Sequence, residues 1–229
     1  KRAERFLENS ADYIVPHGIR TDEYPYERDK SILWEKLNLQ GERGIGIFGR
    51  IRPQKGIDLF VDAMLETLPQ IPGFTAVIVG RTTPKFEAYV LSLKTKIKIK
   101  GLEDRFVWLG EVEFKLLPKL YGAMSVVASV SRVEGFGLTC LESMSSGTPV
   151  IASRTGGFEL VVRDGLDGRL VDCDSSEQIA TAFLEMTKEP SLLERMGASS
   201  RKRIEDSFTI EREAKALVDI YRKYAESRN

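Results

Sequence analysis

The chain has 229 residues, enough for one sizeable core, and its 34 basic and 34 acidic residues balance. That balance gives no global pull toward nucleic acid or an anionic membrane. The two cysteines, Cys140 and Cys173, fit neither a disulfide framework nor a zinc site, which favours a reducing compartment, and no apolar run reaches the roughly 18 residues that cross a bilayer.

In chain order, apolar runs of strand length occur at Tyr13–Val15, Ile45–Phe48, Ala76–Val79, Phe106–Leu109, Ser125–Ser129, Val150–Ser153 and Arg169–Val171. Helical patterns separate most of them. Strands alternating with helices imply βαβ units and a parallel sheet, and runs that are apolar throughout suit strands buried on both faces. After Asp172 only helices follow, over Ser175–Lys188, Ser191–Asp206 and Ile210–Ala225, with Ser175 or Ser176 as a cap and Pro190 between the first two. No repeat, low-complexity linker or second domain interrupts residues 1–229. The opening KRAERFLENSADYIVPHGI reads as a helix leading into a linking strand in the middle of a longer chain. His17, the sole histidine, reads as a turn residue and not as a catalytic base.

Two clusters carry chemistry. FGRIRPQKG, residues 48–56, sets Arg50, Arg52 and Lys55 on a strand-to-helix loop ahead of the helical IDLFVDAMLETL, and such cations compensate a diphosphate. In SRVEGFGLTCLESMSSGTPVIAS, Glu134 and Glu142 flank the turn Gly135-Phe136-Gly137, and a helix begins at Leu138 and Thr139 and runs to Ser146. Unpaired amides and the dipole at that helix start favour an anion, while Glu142 can accept from hydroxyls. The bland alternatives are a packing corner with solvated glutamates and an ordinary basic loop. Together the clusters point instead to a ligand with both phosphates and sugar hydroxyls. Gly44-Ile-Gly46-Ile-Phe-Gly49 satisfies GxGxxG literally, but its glycines fall inside the strand and no acid ends a second strand about twenty residues on, which argues against a nicotinamide oxidoreductase. The run Lys94–Lys100 reads as a solvated helix end, with a membrane-surface contact as the alternative.

GR(x4)KG at 49–56, EGFGLTCLE at 134–142, SSGTPVIASRTGG at 145–157 and ExVxxDGxxG at 159–168 together resemble the C-terminal, donor-binding half of a family 4 retaining glycosyltransferase of the GT-B class. The resemblance runs from about Asp12 to Gly168. It implies an α/β, Rossmann-like doubly wound parallel sheet with C-terminal helices, the last reaching toward an N-terminal acceptor domain that this chain lacks. It implies transfer of a hexosyl group from a nucleotide-diphosphate sugar to a saccharide or lipid-linked saccharide acceptor. Arg50 and Lys55 then hold the diphosphate and stabilise the departing nucleotide, sharing that load with the amides of Gly137, Leu138 and Thr139. Glu142 binds the ribose, and Glu134, with Gly135 and Phe136 beside it, orients the donor sugar. Gly80 and Arg81, and backbone atoms of Val112, lie near the nucleobase. The family's early turn has Asn-Gly where this chain has His17-Gly18. No metal or cofactor is implied. FGRIRPQKGIDLFVDAM with VSRVEGFGLTCLESM is most similar to bacterial lipopolysaccharide-core mannosyltransferases, which implies GDP-mannose and a cytoplasmic enzyme, peripheral at the inner face of the membrane. Without its other half the chain is expected to bind donor but not to turn it over at a useful rate. A non-catalytic sugar-nucleotide module remains the alternative; an epimerase of the same architecture fits the motifs less well.

Overall fold

The structure, a computed structural model, describes residues 13–26 and 29–226. The helix read at the start of the chain lies outside them. Six strands, β1 (Arg43–Phe48), β2 (Phe74–Val79), β3 (Phe106–Gly110), β4 (Val126–Ser129), β5 (Val150–Ser153) and β6 (Gly168–Val171), form one sheet in the order β3-β2-β1-β4-β5-β6. Every pairing is parallel. The helices are α1 (Lys30–Lys36), α2 (Ile57–Thr67), α3 (Glu87–Ile99), α4 (Leu117–Ala123), α5 (Leu138–Ser145), α6 (Phe158–Val161), α7 (Ser176–Thr187), α8 (Pro190–Ser207) and α9 (Ile210–Glu226).

Alternate residues of each central strand serve different cores. Ile45, Ile47, Ala76, Ile78, Val126, Ala128 and Ile151 join side chains of α2, α3 and α7 on one face. Phe48, Val77, Val79, Val127, Val150 and Ala152 join α1, α4, α5 and α6 on the other. Both faces are therefore dry, which is why these strands lack polar alternation. Inside β1, a Cβ at Gly44 would lie 2.2 Å from the Trp34 ring and one at Gly46 2.9 Å from Met124. The glycines of the literal GxGxxG thus make room for neighbouring side chains.

Tyr13–Val15 forms no strand. Tyr13 and Ile14 are 44% and 75% exposed, and the segment pairs only farther on, through the isolated bridge of Ile19 with Thr209. A three-residue apolar run with no ladder partner cannot satisfy its backbone as a strand does. The same segment is fastened to the last helix: His17 Nδ1 lies 3.0 Å from a Glu213 carboxylate oxygen and the Gly18 amide donates to the other at 2.8 Å. His17 is accordingly a turn residue tied to α9. Ser175 caps α7 through the Gln178 amide at 3.2 Å, whereas Pro190 opens α8 instead of merely preceding it, because a proline at the first helical position loses no hydrogen bond.

The strand order reverses between β1 and β4. In open parallel sheets the chains diverge there and leave a crevice beyond the carboxyl ends of the strands. The loops after β1 and β4 are the two singled out from the sequence.

Candidate functional site at the β1–β4 crevice

The basic loop is held by backbone. Gly49 donates to the Val79 carbonyl at 2.9 Å, Ile51 to Arg81 at 3.0 Å, and Gly80 to Gly110 at 2.8 Å, so the loops after β1, β2 and β3 are laced together. A Cβ at Gly80 would come within 1.8 Å of the Gly49 carbonyl oxygen. Gly80 therefore serves the lacing, and its amide is already engaged. A short 3-10 turn, Pro53–Lys55, then leads through Gly56 into α2. Gly56 has φ +70°, and a Cβ there would stand 2.1 Å from the Val130 carbonyl oxygen. The basic loop is thus pressed onto the chain leaving β4.

Arg132 locks that contact. Its amide donates to the Gln54 carbonyl at 2.9 Å, and its guanidinium grips both carboxylate oxygens of Asp58 at 2.9 and 2.8 Å while also reaching the Pro53 carbonyl and Asp174. Tyr89 donates to Asp58 at 2.8 Å. Burial opposes ionisation of Asp58, but the Arg132 and Tyr89 hydrogen bonds outweigh it and hold the carboxyl below its ordinary range. None of Arg132, Asp58 and Tyr89 stands out in the sequence, since 74 residues separate the bidentate pair.

The two clusters meet at one contact. Lys55 Nζ donates to Glu134 Oε2 at 2.7 Å, with the side chains only 18% and 16% exposed. Ser131 reaches the same oxygen at 3.4 Å, and the Gly135 amide donates to Glu134 Oε1 at 3.0 Å. The turn is backed by Gly156 and Gly157: a Cβ on either would come within 2.0 Å of the Glu134 or Phe136 carbonyl oxygen. Beyond the turn, α5 starts at Leu138 with no side-chain cap. The amides of Leu138 and Thr139 have no partner four residues back within the helix, so the helix start faces the crevice as a donor pair. Thr139 Oγ1 lies 3.2 Å from the Ser129 hydroxyl.

Glu142 is no solvated carboxylate. Tyr121 donates to its Oε2 at 2.6 Å and Tyr24 to its Oε1 at 3.4 Å. Burial raises the Glu142 carboxyl above its usual range, opposed by the two hydroxyls and by the charge of Lys55. The Tyr121 ring stacks on Phe48 at 4.0 Å between centroids. These two tyrosines were not read as site residues; only the tertiary fold brings Tyr24 to a residue 118 positions away. Cys140, in the first turn of α5, is fully buried with its thiol pushed up to about 12 by burial, so it offers no nucleophile.

The remaining candidates sit around the rim. Arg50 is exposed, while Arg52 Nε is buried without a hydrogen-bond partner. Arg81 and Glu111 lie 3.8 Å apart and are about two-thirds exposed, and Val112 packs partly against the core. Phe136 is edge-on to His17 at 5.0 Å and to Phe208 at 6.4 Å, so its ring is a wall of the turn. Among the described residues no three His, Cys, Asp or Glu side chains gather as a metal site. A cleft of about 620 Å³ lies elsewhere, at the amino ends of the strands, and is lined by Lys30, Arg43, Ser125 and Arg195. Cations, free first-turn amides and two carboxylates in one crevice can receive a phosphate beside a hydroxylated group.

The family model described as "Glycosyl transferases group 1" matches residues 29–203. The chain is 39% identical, over 80% of its length and 51% of the relative's, to the lipopolysaccharide core biosynthesis mannosyltransferase LpcC of Rhizobium leguminosarum bv. viciae. It superposes with TM-score 0.81 and 31% identity on the C-terminal domain of a glycosyl transferase group 1 family protein, LpcC, from Francisella tularensis, covering 84% of this chain and 100% of that one. Anabaena Alr3699/HepE, solved in complex with UDP and glucose, matches with TM-score 0.83 and 25% identity over 92% of this chain and 57% of its own. The chain thus spans about half the length of the curated relative it matches.

Proposed function

The chain belongs to the group 1 glycosyl transferases, and from that membership we propose that it is the donor-binding half of a retaining hexosyltransferase. The nucleoside diphosphate of the donor sits in the β1–β4 crevice. Arg50 and Lys55 compensate the diphosphate and stabilise charge on the leaving nucleotide, and the amides of Gly137, Leu138 and Thr139 share that load. Glu142, oriented by Tyr121 and Tyr24, accepts from the ribose hydroxyls. Glu134 orients the donor sugar, and Arg81 and the Val112 backbone border the base. The single observation that carries this reading is the 2.7 Å contact of Lys55 with Glu134, which joins the basic loop to the acidic turn at the mouth of α5.

The acceptor is a saccharide or lipid-linked saccharide met through a second half, which the relatives' greater length supplies. Closure by that half excludes water and sets the acceptor in line, so this chain alone binds donor without efficient turnover. The name of the Rhizobium relative, a mannosyltransferase of lipopolysaccharide core biosynthesis, supports mannose as the sugar; GDP-mannose as its donor form, and a cytoplasmic enzyme peripheral to the inner membrane face, complete the reading. The uridine nucleotide held by the Anabaena protein supports a UDP-sugar as the second reading.

Calorimetric titration with GDP, UDP and ADP, free and as sugar conjugates, separates the two. Selective binding of GDP and GDP-mannose is expected. Selective UDP binding overturns the guanosine assignment, and binding of none of them, or affinity unchanged in Arg50→Ala and Lys55→Ala, overturns the site.

A further inference from the structure

Helix α3 is apolar on two opposite sides. Leu93 and Ile97, 3% and 2% exposed, face the core. At 3.6 residues per turn, Ala88, Leu91, Thr95 and Ile99 form a second stripe on the outer side, where Leu91 is 65% and Ile99 78% exposed. Lysines border this stripe along its length, Lys94 and Lys98 on one edge, Lys96 and Lys100 on the other. No acid occurs from Ala88 to Leu102, so three lysines of the helix and Lys100 at its C-cap gather positive charge in a chain whose total is balanced.

Intramolecular partners take up part of that charge. Lys96 donates to Asp62 of α2 at 2.6 Å, and Lys94 lies over the Trp108 ring at 5.4 Å. Among the described residues Lys98 and Lys100 make no ion pair, and Glu87 at the start of the helix and Glu103 and Asp104 beyond it bound the basic stretch.

We propose that this outer face of α3 docks on an anionic membrane surface. A narrow aliphatic stripe with lysines on both borders matches an interfacial helix: the apolar side chains enter the headgroup boundary and the ammonium groups meet lipid phosphates on either side. The charge complementarity selects the occupant. Lipid headgroups rearrange to reach both borders of a convex helix, whereas a rigid protein partner would have to wrap it. The helix packs against α2 and follows the loop leaving the carboxyl end of β2, so docking brings the bilayer to the flank of the sheet that carries the basic loop. The inference rests on the peripheral location proposed above and deepens it by naming the face that meets the bilayer; because it is tested without nucleotide, its failure is distinguishable from failure of the donor site.

The test is sedimentation of the 229-residue chain with phosphatidylcholine vesicles, with and without phosphatidylglycerol, across a salt series. Binding to the anionic vesicles alone, weakened by salt, is expected. The double variant Leu91→Glu with Ile99→Glu should lose at least about tenfold in affinity. Lys98→Gln with Lys100→Gln should lose roughly fivefold per lysine. All four positions are exposed, so both variants should fold, as circular dichroism would verify. Absence of binding to anionic vesicles, or binding that either folded double variant leaves intact, overturns the proposal. So does a dimer in vesicle-free ultracentrifugation that Leu91→Glu with Ile99→Glu abolishes, which would make a second copy the occupant.

Discussion

Replacing Tyr121 with phenylalanine removes a single oxygen from beneath Glu142 and isolates the electrostatics of the crevice floor. The ring keeps its stack on Phe48, so packing is conserved and the loss is that of the 2.6 Å bond to Glu142 Oε2. Tyr24, at 3.4 Å on the other oxygen, is a weak substitute. A hydrogen bond to a buried charge contributes about 1.5–3 kcal/mol, and a neutral one about 1 kcal/mol. Burial raises the folded-state pKa of Glu142, so the folded protein holds that proton more tightly than the unfolded chain. Stability contributed by the protonated form is therefore lost as pH rises from the unfolded value through the folded one. Tyr121 limits that loss by donating to the ionised form. Urea unfolding followed by circular dichroism should show Tyr121→Phe to be less stable by about 2 kcal/mol at pH 7.5, the loss shrinking toward about 1 kcal/mol as the pH falls below the ordinary glutamate value of about 4.3 and the carboxyl takes up its proton. In a Glu142→Gln background the same substitution should cost about 1 kcal/mol at every pH. An equal loss at both ends of that pH range in the unmodified background, or a loss below about 0.5 kcal/mol at neutral pH, would refute the charged-bond reasoning.

Other perturbations address the loops. Gly56→Ala forces a Cβ toward the Val130 carbonyl at φ +70°, and should cost at least about 2 kcal/mol in urea unfolding. Arg132→Met leaves Asp58 with Tyr89 alone and should destabilise by about 2–3 kcal/mol; a change under about 0.5 kcal/mol would mean that Arg132 contributes no more than an exposed ion pair. In calorimetry, Lys55→Ala should weaken nucleoside diphosphate binding by about 1.5–3 kcal/mol. Glu134→Gln, which releases that lysine, should spare the free nucleotide and weaken chiefly the sugar-bearing form; the reverse pattern would exchange the two roles.

The sheet was legible because its strands are apolar on both faces, and the crevice because glycines and charges concentrate on the loops after β1 and β4. What local pattern cannot carry is a partner chosen by the tertiary fold. Tyr24 and Tyr121 look like ordinary aromatics until Glu142 is placed between them, and Arg132 looks like a loop cation until it closes on Asp58. Gly80, singled out for a place near a base, has a packing reason of its own, since its lack of a side chain admits the Gly49 carbonyl. Tyr13–Val15 misled because apolar composition says nothing about whether a neighbouring strand is there to pair with.

The knot of His17 and Gly18 with Glu213 has a mechanical consequence. The imidazole that Glu213 holds is also the surface against which Phe136 rests, so one carboxylate near the far end of the polypeptide braces the acidic turn from behind. Fraying of α9 would remove that brace, and Glu213→Ala should loosen the turn in hydrogen exchange before the sheet itself opens.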